Sequence, residues 1–197
     1  MVRKMTQQQP TAAWHRRFVL DLLPAASIGA EIGVHQGDFS QVILDIVAPA
    51  CLHLIDPWHH EPSPTYEKAW YGGKAEQGQQ EMDARYAEVL ARFDDAIRAG
   101  TVVVHRGASD EVLGGLPDAS LDWVYIDGNH LYEFVATDLA LSLAKVRVGG
   151  LITGDDYAEG GWWEGGVKRA VDEFAGTAPV RQVEIRNGQY VFERLAD

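Results

Sequence analysis

Trp123-Val-Tyr-Ile-Asp127-Gly-Asn-His130 is the stretch on which the fold turns. Val124, Tyr125 and Ile126 make an apolar run of the kind found in a central strand of a parallel sheet, buried on both faces. Asp127 stands where that strand ends, a tight turn follows, and His130 comes next. In open α/β sheets, ligands bind at the carboxyl ends of the strands. Further on, Gly149-Gly-Leu-Ile-Thr-Gly154 is a second apolar run, and it ends on Asp155-Asp156. Two neighbouring strands would deliver three carboxylates to one place.

Outward from that stretch the chain alternates strand and helix. Thr11 opens a helix with Trp14, Phe18 and Leu22 at fourfold spacing, ended by Pro24. Ser27 to Val34 is a first strand. Phe39, Val42, Ile43, Ile46 and Val47 mark an amphipathic helix, and Cys51 to Ile55 a second strand. Trp58 to Gly78 has no period; loops of that length are functional lids or disordered, and its aromatics favour an active-site lid over 57–78. Met82, Tyr86, Val89, Leu90, Phe93 and Ile97 share one helical face, capped by Gly100. Thr101 to His105 and Leu121 to Ile126 are the third and fourth strands. Leu131 to Val146 is a helix, and Leu151 to Gly154 is the core of a fifth strand. Val167, Ala170, Val171 and Phe174 mark the last helix. Val180–Ile185 and Gln189–Arg194 form a hairpin across Asn187-Gly188, the strongest short hairpin signal. The order predicts a doubly wound, mostly parallel α/β sheet closed by a C-terminal antiparallel hairpin. One domain over 1–197 is expected, with an N-terminal helical segment at 1–26.

The bulk properties narrow the partners. With 29 acidic against 17 basic residues, the formal charge is −12. Nucleic-acid binding relies on clustered Lys and Arg, and so does docking on an anionic membrane; neither partner is expected. The single Cys51 excludes an intrachain disulfide and a multi-cysteine zinc site, and reads as a core residue. No apolar run approaches a membrane span, so a cytoplasmic protein is the default. A homodimer is left open.

Glu31-Ile-Gly33-Val-His-Gln-Gly37 is a glycine turn from the first strand into a helix, where glycines let the backbone approach a ligand closely. It is not G-x-G-x-x-G, and Asp38 at the helix start would repel a pyrophosphate. Asp56 ends the second strand at roughly the spacing (~20 residues) of an acid that pairs with ribose hydroxyls. Each signal alone reads as well as an ordinary turn or strand end. Together they favour an adenosine ligand without phosphates.

At the reacting end, Asp127, Asp155 and Asp156 offer the oxygen set of a hard divalent cation such as Mg²⁺; as a plain loop cap the Asp155-Asp156 pair would need no ion. His130 reads equally as a general base or as a cap of the following helix. Trp162-Trp163 would line an aromatic pocket or pack the sheet edge. His59-His60 reads as part of a solvated lid.

These residues resemble class I S-adenosylmethionine-dependent methyltransferases, and among them the metal-dependent O-methyltransferases. Catechol O-methyltransferase has a similar layout: an acidic first-strand motif like Glu31-Ile-Gly33, a Gly-Ala-Ser turn like Gly107-Ala-Ser109, a metal aspartate like Asp127, and an Asp-Asn pair where this chain has Asp155-Asp156. Its catalytic lysine falls on His130. The bacterial sugar and antibiotic O-methyltransferases of macrolide and cephamycin tailoring look more similar still, with I-D-G-x-H-x-Y as in Ile126-Asp127-Gly-Asn-His130-Leu-Tyr132 and G-D-D-Y as in Gly154-Asp155-Asp156-Tyr157. The resemblance covers about Glu31 to Phe174.

The resemblance implies a seven-stranded Rossmann-like methyltransferase fold with S-adenosylmethionine as cofactor. It implies that Glu31, Gly33 and Gly37 line the methionine side, with Asp127 where cofactor and metal meet. Asp56 would bind the ribose, and Ser109 would lie near the adenine. Mg²⁺, or another hard divalent cation, would sit on Asp127, Asp155 and Asp156, and His130 or Asp127 would take the proton of a small-molecule hydroxyl. The alternatives are a metal-independent methyltransferase and a non-catalytic S-adenosylmethionine- or adenosine-binding protein of the same fold.

Overall fold

The structure is a computed structural model that describes residues 13–69, 71 and 75–196, with the side chains of residues 13–15 outside that description. Its strands are β1 (Ile28–Ile32), β2 (Cys51–Asp56), β3 (Val102–Arg106), β4 (Leu121–Ile126), β5 (Val146–Gly154), β6 (Val180–Arg186) and β7 (Gln189–Arg194). Its helices are α1 (Ala13–Leu22), α2 (Asp38–Val47), α3 (Gln79–Arg92), α4 (Asp94–Arg98), α5 (Ser109–Gly115), α6 (Tyr132–Lys145) and α7 (Gly166–Thr177). The strands form one seven-stranded sheet in the order β3-β2-β1-β4-β5-β7-β6. The first five are parallel, and β7 runs antiparallel to both β5 and β6. This is the Rossmann-like methyltransferase sheet with its closing hairpin.

β4 lies at the centre because both of its faces are apolar. Val124 and Ile126 enter one core with Ala30, Ile32, Ile152, Val135, Leu139 and Val171, so α5, α6 and α7 cover that face. Trp123 and Tyr125 enter the other core with Leu52, Leu54, Val19, Leu20, Ile43, Met82 and Val89, so α1 to α4 cover the opposite face. The period-two alternation of strand side chains assigns each residue to its layer. The strand order reverses between β1 and β4, which opens the crevice at their carboxyl ends where ligands bind in such sheets.

Several expectations shift. The helical face read from Met82 to Ile97 is broken at Phe93, whose φ of −105° and ψ of 14° leave the helical region. Gly100 still ends the second piece, with φ +76°. β5 begins at Val146, directly after α6, and skips register between Leu121 and Trp123 of β4 before its core. In the hairpin, Asn187 and Gly188 both have positive φ, as a two-residue turn requires.

The inward stripe of α1 is also different. Val19, Leu20 and Leu23 are buried, Phe18 is partly buried, and Leu22 is exposed. The stripe follows 16, 19, 20 and 23, which puts Arg16 rather than Leu22 over the sheet. Trp58, read as the first residue of a lid, is fully buried in the core beneath α3. Trp70 and 72–74 of that segment lie outside the described residues. Among the described residues, no helix is long and apolar enough to cross a membrane.

Candidate active site

The glycine turn after β1 is built against the β4 turn. Gly33 has φ +90°, and a Cβ there would run into the carbonyl of Asp127. The Asp127 N–H donates to Ile32 O at 2.8 Å, and the Gly33 N–H donates to Ile55 O at 2.9 Å. The ends of β4, β1 and β2 are thereby locked side by side. Gly37, φ +78°, precedes α2 and lies against the ring of Phe93. Glu31 is buried, and Ser40 of α2 donates its hydroxyl to Glu31 Oε2 at 2.5 Å. Burial pushes the Glu31 carboxyl up to about 8, with the Ser40 hydrogen bond pulling the other way.

Asp56 organises the end of β2. Its Oδ2 accepts the N–H groups of Val34 at 3.0 Å and His35 at 2.9 Å. Its Oδ1 accepts the Trp58 N–H at 2.7 Å and the Tyr71 hydroxyl at 2.5 Å. Three of these donors are backbone groups fixed by the fold; the fourth is a side chain. Burial raises the Asp56 pKa while the four donors lower it. Ser109 opens α5 beyond β3, and its hydroxyl donates to Asp138 of α6 at 2.6 Å.

At the reacting end, the adjacent acids after β5 part company. Asp156 has φ +57°, and this left-handed kink sends its carboxylate toward His130. His130 Nε2 lies 3.2 Å from Asp156 Oδ2 and 3.5 Å from Asp127 Oδ1. Asp155 faces the other way. Its Oδ2 pairs with Arg16 Nη2, and its Oδ1 accepts the Gln189 amide and the Asp156 N–H. Tyr125 fixes Gln189 in turn by donating to its Oε1 at 2.6 Å. Arg16 also reaches Asp127 Oδ2, at 2.7 Å through Nη1.

The charges follow this partition. Burial works against the Asp127 carboxylate, but His130 and Arg16 outweigh it and its pKa falls. Burial likewise opposes a charged His130, but Asp127 and Asp156 outweigh it and its pKa rises. Burial lifts Asp155 to about 6 despite Arg16, and lifts Asp156 despite His130.

Tyr66, Trp162 and Trp163 wall this end. The His130 ring lies 5.8 Å from Trp162 and 4.8 Å from Trp163, and Tyr66 lies 5.4 Å from Trp162. Asn129 donates to the Tyr66 hydroxyl at 2.8 Å, tying the segment after β2 to the β4 turn.

A divalent cation would find donors here. Asp127, His130 and Asp156 each offer one ligand atom, and these atoms lie within 4.8 Å of one another. Among the described residues, His130 Nε2 is buried and lacks a well-directed hydrogen bond despite its two acidic neighbours, which leaves it open to a further partner. The oxygen donors suit a hard ion. Of the three acids read as cation ligands, the structure therefore brings together Asp127 and Asp156 with His130, and holds Asp155 on Arg16.

Three residues of the site were not singled out from sequence. Gln189 and Tyr71 carry no local signal. Nor does Arg16, because contact with α2 and the sheet settles which face of α1 turns inward.

The methyltransferase-domain family matches residues 30–157. No curated protein matches the sequence. Among solved structures, the chain is similar to the O-methyltransferase TomG of Streptomyces achromogenes, involved in tomaymycin synthesis and solved with S-adenosylmethionine. The TM-score is 0.65 at 18% identity, covering 95% of this chain and 82% of that one. It is also similar to SMU.1697c of Streptococcus mutans, solved with S-adenosylhomocysteine (TM-score 0.58, 14% identity, 95% and 99% covered). An rRNA methylase of Streptococcus thermophilus has the same fold (TM-score 0.56, 13% identity, 96% and 99% covered). With a strand-end crevice of this construction and a family match over most of its sheet, the chain belongs to the methyltransferase-domain family and is a class I S-adenosylmethionine-dependent methyltransferase.

Proposed function

We propose that this enzyme methylates a hydroxyl oxygen of a small molecule, with a divalent cation such as Mg²⁺ at the acidic end of the site. The observation that carries the reading is His130 Nε2 set between Asp127 and Asp156, under the wall of Tyr66, Trp162 and Trp163. The charge of −12 favours a small acceptor over rRNA, the substrate class named for the Streptococcus thermophilus protein. TomG, an O-methyltransferase of the same fold, fits an oxygen acceptor.

Glu31, Gly33, Gly37 and Asp127 line the methionine side of the cofactor, and Asp56 faces its ribose. Ser109 stands near the adenine. Tyr66, in the segment after β2, orients the acceptor with Trp162 and Trp163. Asp127 and Asp156 would hold the cation beside His130, and Asp155 is engaged by Arg16. The cation supplies Lewis acidity that lowers the pKa of an acceptor hydroxyl. With a cation offsetting the acids that favour a charged imidazole, neutral His130 would accept the hydroxyl proton at Nε2. The oxygen lone pair forms the new O–CH₃ bond as the S–CH₃ bond of the sulfonium breaks, leaving S-adenosylhomocysteine. The aromatic wall excludes water from the transfer.

A metal-independent transfer is the second reading, and Arg16 favours it by already placing positive charge on Asp127 and Asp155. One experiment separates the two. Transfer of labelled methyl groups to a mixed panel of catechols, phenols, vicinal-diol sugars and amines is measured with Mg²⁺ and with EDTA. Mg²⁺-stimulated methylation of a hydroxyl supports the first reading. Equal rates in EDTA select the second, and transfer to nitrogen alone on a mixed panel overturns both.

A further inference from the structure

Arg16 is wedged into the site rather than laid on the surface. Its side chain is 22% exposed, and its guanidinium lies 4.8 Å from the Phe39 ring centroid and 5.8 Å from that of Tyr125. These rings and the inward stripe of α1 aim its two terminal nitrogens at different acids, Asp127 Oδ2 and Asp155 Oδ2. With Gln189 and the Asp156 N–H on its other oxygen, Asp155 has both oxygens engaged by protein donors. Asp127 keeps Oδ1 toward His130 and Asp156. The guanidinium thus divides the acidic cluster into a compartment it neutralises itself and one left open beside His130.

We propose that Arg16 is a resident counter-ion that competes with a divalent cation for Asp155 and Asp127, so that it sets the site's cation affinity and couples cation binding to the seating of α1. This rests on the divalent-cation reading above. Carboxylates gathered in a half-buried place repel one another, and a guanidinium among them relieves that cost while no other cation is present. The same guanidinium repels an incoming cation a few ångströms away and withholds one of its ligands. Once a divalent ion sits on the carboxylates, the guanidinium becomes redundant there, and Asp155 is freed to turn to the ion.

The test uses Mn²⁺ as the probe, titrated into the full chain, with free Mn²⁺ read by electron paramagnetic resonance. The proteins are wild type, Arg16→Met, Asp155→Asn and the double variant, each checked for a cooperative melt. Arg16→Met should bind Mn²⁺ at least about tenfold more tightly than wild type, since a unit charge beside the ligands is removed. That gain should shrink to about threefold when Asp155 is already Asn, because the Asp155 contact is then gone and only Arg16's hold on Asp127 is left to relieve. Unchanged or weaker affinity in a folded Arg16→Met protein overturns the proposal and leaves the cation site standing. Mn²⁺ binding by neither protein removes the cation reading and the proposal with it. Arg16→Gln, which keeps an amide over the Phe39 ring, serves in place of Arg16→Met should that variant fail to fold.

Discussion

Gly33 presses its Cα against the backbone carbonyl of Asp127, so closely that no β-carbon fits between the two strand ends. The cofactor turn after β1 and the acidic turn after β4 are therefore one construction. Glycine at this place serves the contact between the two turns before it serves any ligand.

Gly33→Ala should fail on two counts, a left-handed φ of +90° and a backbone clash that no rotamer relieves. A loss of about 3 kcal/mol or more is expected in urea denaturation, with S-adenosylhomocysteine affinity lost alongside it. Gly100 provides the control. It has φ +76° but open space around its Cα, so Gly100→Ala should cost only about 1 kcal/mol.

His130→Ala should lower kcat by roughly 10²- to 10⁴-fold, the range for loss of a positioned general base. Its affinity for S-adenosylhomocysteine should hold within about twofold, because in the proposed reading Glu31, the glycine turn and Asp56 form the cofactor side. Calorimetric titration beside steady-state kinetics separates the two quantities. Loss of stability by about 1 kcal/mol with kcat intact would make His130 a helix cap and return the base to Asp127.

Asp56 should reveal how the ribose finds its place. Tyr71→Phe removes the one donor on Asp56 that is not backbone among the described residues. The fold should lose about 1 kcal/mol or less, and S-adenosylhomocysteine should bind at least as tightly as to wild type, since a ribose hydroxyl can take the vacated position. Asp56→Asn turns an amide NH₂ toward these donors and should weaken both stability and binding. Weaker binding in Tyr71→Phe would show that the tyrosine holds the cofactor directly.

Asp138 predicts a pH dependence away from the catalytic groups. Burial lifts its pKa from 3.8 to about 7, while the Ser109 hydroxyl pulls it down. Between these values the folded protein holds a proton that the unfolded chain has released. Stability from this group is therefore complete below the lower value and lost as pH rises through about 7. Asp138→Asn keeps an acceptor for Ser109 and removes the titration. Its melting temperature should equal that of wild type near pH 4 and exceed it at pH 8, by up to about 4 kcal/mol of stability at roughly 1.4 kcal/mol per unit. Parallel melting curves across this range would refute the assignment.

Much of this architecture is written locally. The apolar run at Val124–Ile126 declares a strand buried on both faces, Asn187-Gly188 declares its hairpin, and alternating periodicities declare the layers. Asp127, Asp156 and His130 were legible because strand ends of a parallel sheet converge by topology alone. The phase of α1 was not legible. The Trp14, Phe18 and Leu22 spacing and the Val19, Leu20 and Leu23 spacing are both helical, and only contact with α2 and the sheet selects the second. The break at Phe93 was hidden for a similar reason, since one apolar stripe runs on through both pieces.

The sequence by itself determined the sheet, the glycine turn and the supply of acids at the strand ends, because strand and turn propensities act over a few residues. The tertiary structure alone decided how the acids are used. Asp155 and Asp156 are chemical twins in the sequence, yet a left-handed φ at Asp156 turns one toward His130, and Arg16 and Gln189 hold the other. Those partners come from α1 and β7, at opposite ends of the chain. Charge pairing depends on distance in space, and nothing local in the sequence encodes it.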